Sequence, residues 1–171
     1  AGQIQGFFNA PVDHLHAAPL LARYYVESGL KASETVVVSP DVGGVERATI
    51  FSEYLGSGLA IIAKRRPAPN QCEVTEFIGD VNHKTAILVD DLIDTGSSAL
   101  QAADLLAERG ASRILACCTH PVLSGDALRK LDASPLEEIV VTDTIPIPQQ
   151  KRITKLKILS VAPILADGIR R

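Results

Sequence analysis

Methionine and tryptophan are both missing from this chain of 171 residues, and aromatic residues make up only 4% of it. No apolar run approaches the roughly 18 residues of a membrane-spanning helix, so no membrane partner is expected. Basic residues are not in excess. Seventeen Lys and Arg face 20 Asp and Glu, for a formal net charge of -3, which argues against a protein built to hold nucleic acid non-specifically. Cysteine is scarce and odd in number. Cys117 and Cys118 sit in an apolar strand pattern, and with Cys72 they read as reduced thiols of a cytoplasmic protein rather than a disulfide framework. Nothing reads as a secretion signal, and internal repeats and Walker-type phosphate loops are absent. The opening residues, Ala1 to Phe8, bear no initiator methionine, helix cap or strand pattern, and read as a chain opened part-way through something longer.

What is present is an ordinary globular balance, 46% hydrophobic and 22% charged, long enough for one domain with a real core. Strand patterns fall at Thr35–Ser39, Leu59–Ala63, Thr85–Val89, Ile114–Cys118, Ile139–Val141 and Lys157–Val161, with a polar-alternating edge candidate at Val74–Ile78. Between them helical periodicity covers Val45–Leu55, Ala99–Arg109, Gly125–Leu131 and Ile164–Arg170. No element is assigned before Thr35. Near-continuous apolar strands alternating with helices predict an α/β fold, a mostly parallel sheet covered by helices on both faces.

Ligands of such sheets collect beyond the carboxyl ends of the strands. One exit reads Ser39-Pro40-Asp41-Val42-Gly43-Gly44, with Arg47 one turn into the next helix. A second, Lys64-Arg65-Arg66-Pro67-Ala68-Pro69-Asn70, is a basic loop. A fourth, Thr119-His120-Pro121, is polar but less distinctive, and its His120 suits a structural or ligand-positioning role. The third is the most informative: Val89-Asp90-Asp91-Leu92-Ile93-Asp94-Thr95-Gly96-Ser97-Ser98. Its plainest reading is a strand-to-helix turn capped by Asp94 or Thr95. Two adjacent acids are costly for a cap alone, because like charges repel and only one could serve. The loop's backbone N–H groups, its hydroxyls and a helix N-terminus suit a phosphate. The paired acids suit sugar hydroxyls or a hydrated metal beside them.

This loop resembles the phosphoribosyl-pyrophosphate (PRPP) loop shared by type I phosphoribosyltransferases and PRPP synthetases. Further motifs choose between the two: Gln3-Ile4-Gln5-Gly6-Phe7-Phe8, Val38-Ser39-Pro40-Asp41 with Gly43-Gly44, Lys64-Arg65-Arg66-Pro67, and Thr119-His120-Pro121. All resemble the ribose-phosphate pyrophosphokinase family, and the likeness runs end to end. It implies a type I phosphoribosyltransferase-like fold and transfer of the diphosphoryl group of ATP to the 1-hydroxyl of ribose 5-phosphate, giving PRPP and AMP. Asp94, Thr95, Gly96, Ser97 and Ser98 would hold the 5-phosphate, and Asp90 and Asp91 the ribose hydroxyls. Ser98 stands where the family usually has Thr, with the hydroxyl kept.

By the same resemblance Lys64 and Arg66, on the family's flexible catalytic loop, are the cations that neutralise charge on the transferred group. Taken alone, that segment reads sooner as a solvated basic turn. Asp41 would ligate Mg²⁺ on the ATP phosphates, its partner ligand being a His just before the position of Ala1. Gln5 and Asp13 match regulatory phosphate or ADP positions, although His14 replaces an Asn there and Ala162 stands where a phosphate-binding Ser often sits. The resemblance implies that these residues are the C-terminal half of a longer enzyme. Residues 1–20 would be carried over from a preceding domain, 21–150 form the phosphoribosyltransferase-like domain, and 151–171 its last strand and helix. The implied assembly is a dimer-based homo-oligomer, commonly a hexamer, with no nucleic-acid partner. The alternatives are a PRPP-consuming transferase, which would need a base-recognition hood, and a noncatalytic regulatory subunit, which would typically have lost these motifs.

Overall fold

The computed structural model describes residues 2–65, 74–149 and 153–170. A seven-stranded sheet forms its centre: β1 (Thr35–Ser39), β2 (Gly58–Arg65), β3 (Val74–Ile78), β4 (Thr85–Ile93), β5 (Arg113–Pro121), β6 (Glu138–Thr142) and β7 (Leu156–Leu159). Their spatial order is β3-β2-β1-β4-β5-β6-β7. Every neighbouring pair is parallel except β2 with β3, which run antiparallel at one edge. The order reverses between β1 and β4, and that is where doubly wound sheets place their ligands.

Alternate residues of each strand feed opposite faces, as the pleat requires. Val37, Ile87, Val89, Leu115, Cys117 and Val140 pack under α1 (Ala18–Glu27) and α2 (Val45–Leu55), against Leu21, Ala22, Tyr25, Ala48 and Phe51. Val36, Val38, Leu88, Ala116, Cys118, Ile139 and Val141 pack under α3 (Ser97–Glu108) and α4 (Ala127–Asp132), against Ala102, Ala103, Leu106 and Leu131. A parallel sheet buried on both faces is thus the reason the strand segments read as unbroken apolar runs. Tyr25 joins the layers by one polar bond. Its buried hydroxyl donates to the Ala116 carbonyl at 3.1 Å, and its ring meets Phe51 edge-on with centroids 6.2 Å apart.

Four departures from the sequence expectations bear on the site. Helix α1 was not expected. It has Pro19 in its first turn but no side-chain cap, so its start carries little local signal. Strand β4 continues past Val89 to Ile93, so Asp90 and Asp91 are strand residues, with Asp90 paired to Cys118, rather than part of a loop. Strand β5 likewise runs on through Thr119 and His120 to Pro121. Backbone pairing between β4 and β5 carries both strands beyond their apolar stretches, and periodicity cannot see that. Helix α3 begins at Ser97, two positions before the expected Ala99. The last helix, α5 (Ala162–Ile169), buries none of its residues, and its Gly168 lies against Leu15 of the N-terminal segment. No helix among the described residues is long and apolar enough to cross a membrane.

The packing makes a direct stability prediction. Phe51→Ala empties a fully buried position between α2, α1 and the sheet and should cost about 3–5 kcal/mol in urea denaturation. Val26→Ser, on the outer side of α1 and 56% exposed, should stay within about 0.5 kcal/mol of the parent.

Candidate functional site

Strand β4 ends in Ile93, and four residues later α3 has begun. The turn is made possible by Gly96, which caps the helix at φ +78°, a left-handed conformation that other residues resist. A Cβ there would also meet the Leu131 side chain at 3.4 Å. Two backbone bonds pin the turn to the segment after β5: Leu123 N–H donates to the Ile93 carbonyl at 3.0 Å, and Ser124 N–H to Asp94 at 3.1 Å. Thr95 and Ser97 hydroxyls lie 3.0 Å apart. Gly96 offers no side-chain cap; the Ser97 N–H reaches the Thr95 hydroxyl at 3.5 Å, and the positive end of the helix faces this turn. Asp90, Leu92, Ile93, Asp94, Thr95, Gly96, Ser97, Ser98 and Ala99 together line a cavity of about 160 Å³. The expected phosphate loop and the first of the paired acids therefore share one concavity.

The acid pair itself is held from the neighbouring strand's exit. Arg47, in the first turn of α2, donates from Nη1 to Asp90 Oδ1 at 3.2 Å and from Nη2 approaches Asp91 Oδ2 at 2.9 Å. Burial lifts the Asp90 carboxyl to about 6, helped by its hydrogen bond with Asp91 and that neighbour's charge, while Arg47 opposes the rise. Burial pushes Asp91 upward too, but the bond with Asp90 and the Arg47 charge outweigh it and hold the group below its ordinary value. The two acids titrate as a unit, with the more enclosed Asp90 keeping its proton longest.

Asp41 occupies the loop after β1. Its Oδ1 accepts the Gly44 N–H at 2.8 Å, and the Ser39 hydroxyl donates to its carbonyl at 2.7 Å. Gly44 is required by this closeness, since a Cβ would lie 2.9 Å from Ser39 Oγ and 3.4 Å from Arg47 Nη1. Among the described residues no three His, Cys, Asp or Glu side chains converge as a metal cage. A lone carboxylate at a strand exit fits Mg²⁺, which takes one or two carboxylates and fills its shell with water and substrate phosphate.

Other expected residues fall as follows. Lys64 lies on β2, its Cα paired with Thr75, three residues beyond the Ile61 that pairs with the last residue of β1. The β2–β3 arm thus projects roughly 10 Å past the end of β1, on the same end of the sheet as Asp41 and the acid pair. Arg66 and Cys72 lie outside the described residues. Gln5 and Asp13 are exposed on the N-terminal segment, where the Gln5 amide donates to the Val12 carbonyl at 3.3 Å, and neither bonds to the cavity residues. His120 is exposed on β5, level with Leu92, and its Nδ1 lies 3.0 Å from the Thr144 hydroxyl. Thr142 and Thr144 both donate to the Thr119 carbonyl, at 2.6 and 2.8 Å. This threonine pair at the end of β6 was not singled out in the sequence. Its only local signal is two hydroxyls flanking Asp143 directly after the apolar run Ile139–Val141.

Residues 63–171 match the family model described as phosphoribosyl synthetase-associated domain. The chain belongs to that family. It is 55% identical over 171 residues to a protein of Clostridium acetobutylicum named ribose-phosphate pyrophosphokinase, and 53% identical to one of the same name from Fusobacterium nucleatum. In both alignments all of this chain matches 54% of the relative. The solved phosphoribosylpyrophosphate synthetase of Mycobacterium smegmatis superposes with a TM-score of 0.90 at 43% identity, covering 99% of this chain and 55% of that one. The chain therefore spans about half the length of the relatives it matches. The family and the type I phosphoribosyltransferase-like fold expected from the sequence both hold.

The acid pair leaves a mark on stability. An unfolded Asp titrates near 3.8, whereas folded Asp90 does so at about 6, so in that window the folded chain binds the extra proton. Its contribution is therefore most favourable below pH 4 and is lost as pH rises through 6. Asp90→Asn should remove that fall, leaving the variant more stable than the parent at pH 7 by on the order of 1 kcal/mol. Asp91, shifted the other way, contributes stability above pH 4, so Asp91→Asn should be the less stable there. Urea midpoints measured from pH 4 to 8 check both signs.

Proposed function

We propose that this chain carries the sugar-phosphate site of a ribose-phosphate diphosphokinase, the enzyme that moves the diphosphoryl group of ATP to the 1-hydroxyl of ribose 5-phosphate. One observation carries the reading: Asp90 of the acid pair and a hydroxyl-rich helix start whose N-cap is a glycine lie on one strand-turn-helix unit and share a cavity. The relatives that match the whole chain, named ribose-phosphate pyrophosphokinases, support it. Asp94 to Ser98 take the 5-phosphate, through backbone N–H groups, the Thr95, Ser97 and Ser98 hydroxyls and the α3 dipole. Asp90 and Asp91 accept hydrogen bonds from the ribose hydroxyls and so fix which oxygen faces the incoming phosphorus.

Transfer then requires no covalent intermediate on the protein. It requires an oriented 1-hydroxyl and positive charge where the transferred group and the leaving AMP oxygen become more negative. Lys64 and Arg66 are proposed for that charge, and the projecting β2–β3 arm supports them by carrying Lys64 toward the same end of the sheet. Asp41 would hold Mg²⁺, which when bound neutralises the ATP phosphates. A further domain supplies much of the adenine site, and the working enzyme is a cytoplasmic homo-oligomer, dimer-based and commonly hexameric. Gln5 and Asp13 are proposed for regulatory phosphate or ADP.

Calorimetry tests the sugar site first. Ribose 5-phosphate should bind the chain, and unphosphorylated ribose should bind at least about a hundredfold more weakly. Gly96→Ala should weaken ribose 5-phosphate roughly tenfold or more, by straining the turn and displacing the helix start. Equal affinity for the two sugars would remove the phosphate role from the turn.

The catalytic cation is tested in the full-length enzyme. Lys64→Ala should lower kcat by about a hundredfold or more and leave the Kd for ribose 5-phosphate within roughly twofold. Equal losses of rate and affinity would instead mark Lys64 as a binding residue.

A further inference from the structure

Asp90 and Asp91 are an unusual thing to place side by side at the end of a strand. Two carboxylates in contact repel, and burial of Asp90, whose side chain is only 27% exposed, strengthens that repulsion by excluding water. Carboxylate oxygens accept most strongly from the neighbouring hydroxyls of a sugar when the acids are charged. A fixed cation facing both acids offsets their repulsion before any ligand arrives.

Arg47 has the geometry for it. Its two terminal nitrogens each take a different carboxylate, at 3.2 and 2.9 Å, so the planar fork spans the pair. Among the described residues, both acids form ion pairs with this guanidinium. Its position on α2 is otherwise unfavourable. A positive side chain in the first turn of a helix opposes the macrodipole and contributes nothing to the helix itself. Gly44 leaves the guanidinium room, because a Cβ there would lie 3.4 Å from Nη1. Arg47 thereby links the exit of β1, with Asp41, to the exit of β4, with the acid pair.

We propose that Arg47 is a positioning residue that acts as the built-in cation of the acid pair, so that the ribosyl end of the site is preformed and takes a sugar phosphate without a divalent metal. The proposal rests on the phosphosugar reading above. Divalent metal is then needed for the nucleotide phosphates near Asp41, not for seating the sugar.

Binding separates these roles without any turnover. Ribose 5-phosphate is titrated by calorimetry into the 171-residue chain and into Arg47→Met and Arg47→Lys, in EDTA and then with millimolar Mg²⁺. The parent should bind equally in both conditions. Arg47→Met should bind roughly ten- to a hundredfold more weakly in EDTA and recover in part when Mg²⁺ is added, with Arg47→Lys in between. Inorganic phosphate, which needs only the turn before α3, should bind parent and variants alike and so reports an intact fold. Unchanged affinity of Arg47→Met in EDTA, or a parent that needs Mg²⁺, would overturn the proposal. A parent that binds no ribose 5-phosphate in either condition would overturn the phosphosugar reading, and this proposal with it.

Discussion

The repulsion between two carboxylates at the end of β4 is the constraint around which this end of the molecule is arranged. Both acids are consecutive residues of β4, with Asp90 paired to Cys118 of β5, so the strand backbone keeps the two carboxylates close. Relief comes from α2, whose first turn delivers Arg47 across the neighbouring strand exit. That delivery in turn depends on the tight Asp41–Gly44 loop, where glycine leaves room for the guanidinium. A change in the β1 exit is therefore felt at the β4 exit, although the two are distant in sequence.

The sheet topology explains why these pieces meet. β1 and β4 are neighbours at the point where the winding order reverses, and their following helices leave toward opposite faces. A crevice opens between such helices. One side of it is α2, supplying a cation, and the other is α3, supplying a helix start and hydroxyls. The two halves of a phosphorylated sugar differ in the same way, one end a ring of hydroxyls and the other a dianion. Beside them the antiparallel β2–β3 arm extends past the sheet, which is how a segment remote from the acids in sequence comes to the same end.

Much of the fold could be read from residue patterns because the strands are buried on both faces. Val36–Val38 and Ala86–Val89 have no polar position to obscure them, and the helices between carry one apolar stripe each. Helix α1 escaped that reading, since Ala17 makes no side-chain cap and Tyr24 and Tyr25 sit in a stretch with no sharp polar boundary. The strand ends also escaped. Asp90, Asp91 and His120 look like loop residues by chemistry and lie within strands in the fold. The threonine pair at the β6 exit shows its meaning only beside Thr119 and His120, more than twenty positions away.

Sequence alone determined the chemistry on offer: the order Asp-Asp, then Asp-Thr-Gly-Ser-Ser, after an apolar strand and before a helix. Those identities act locally, through a turn only glycine can make and through groups a few residues apart, so they can be read along the chain. It also placed Arg47 one turn into the helix after another strand exit, with no partner assigned to it. Tertiary structure decided which cation answers the acid pair, because that choice follows from the strand order, which sets β1 beside β4 although they are distant in sequence.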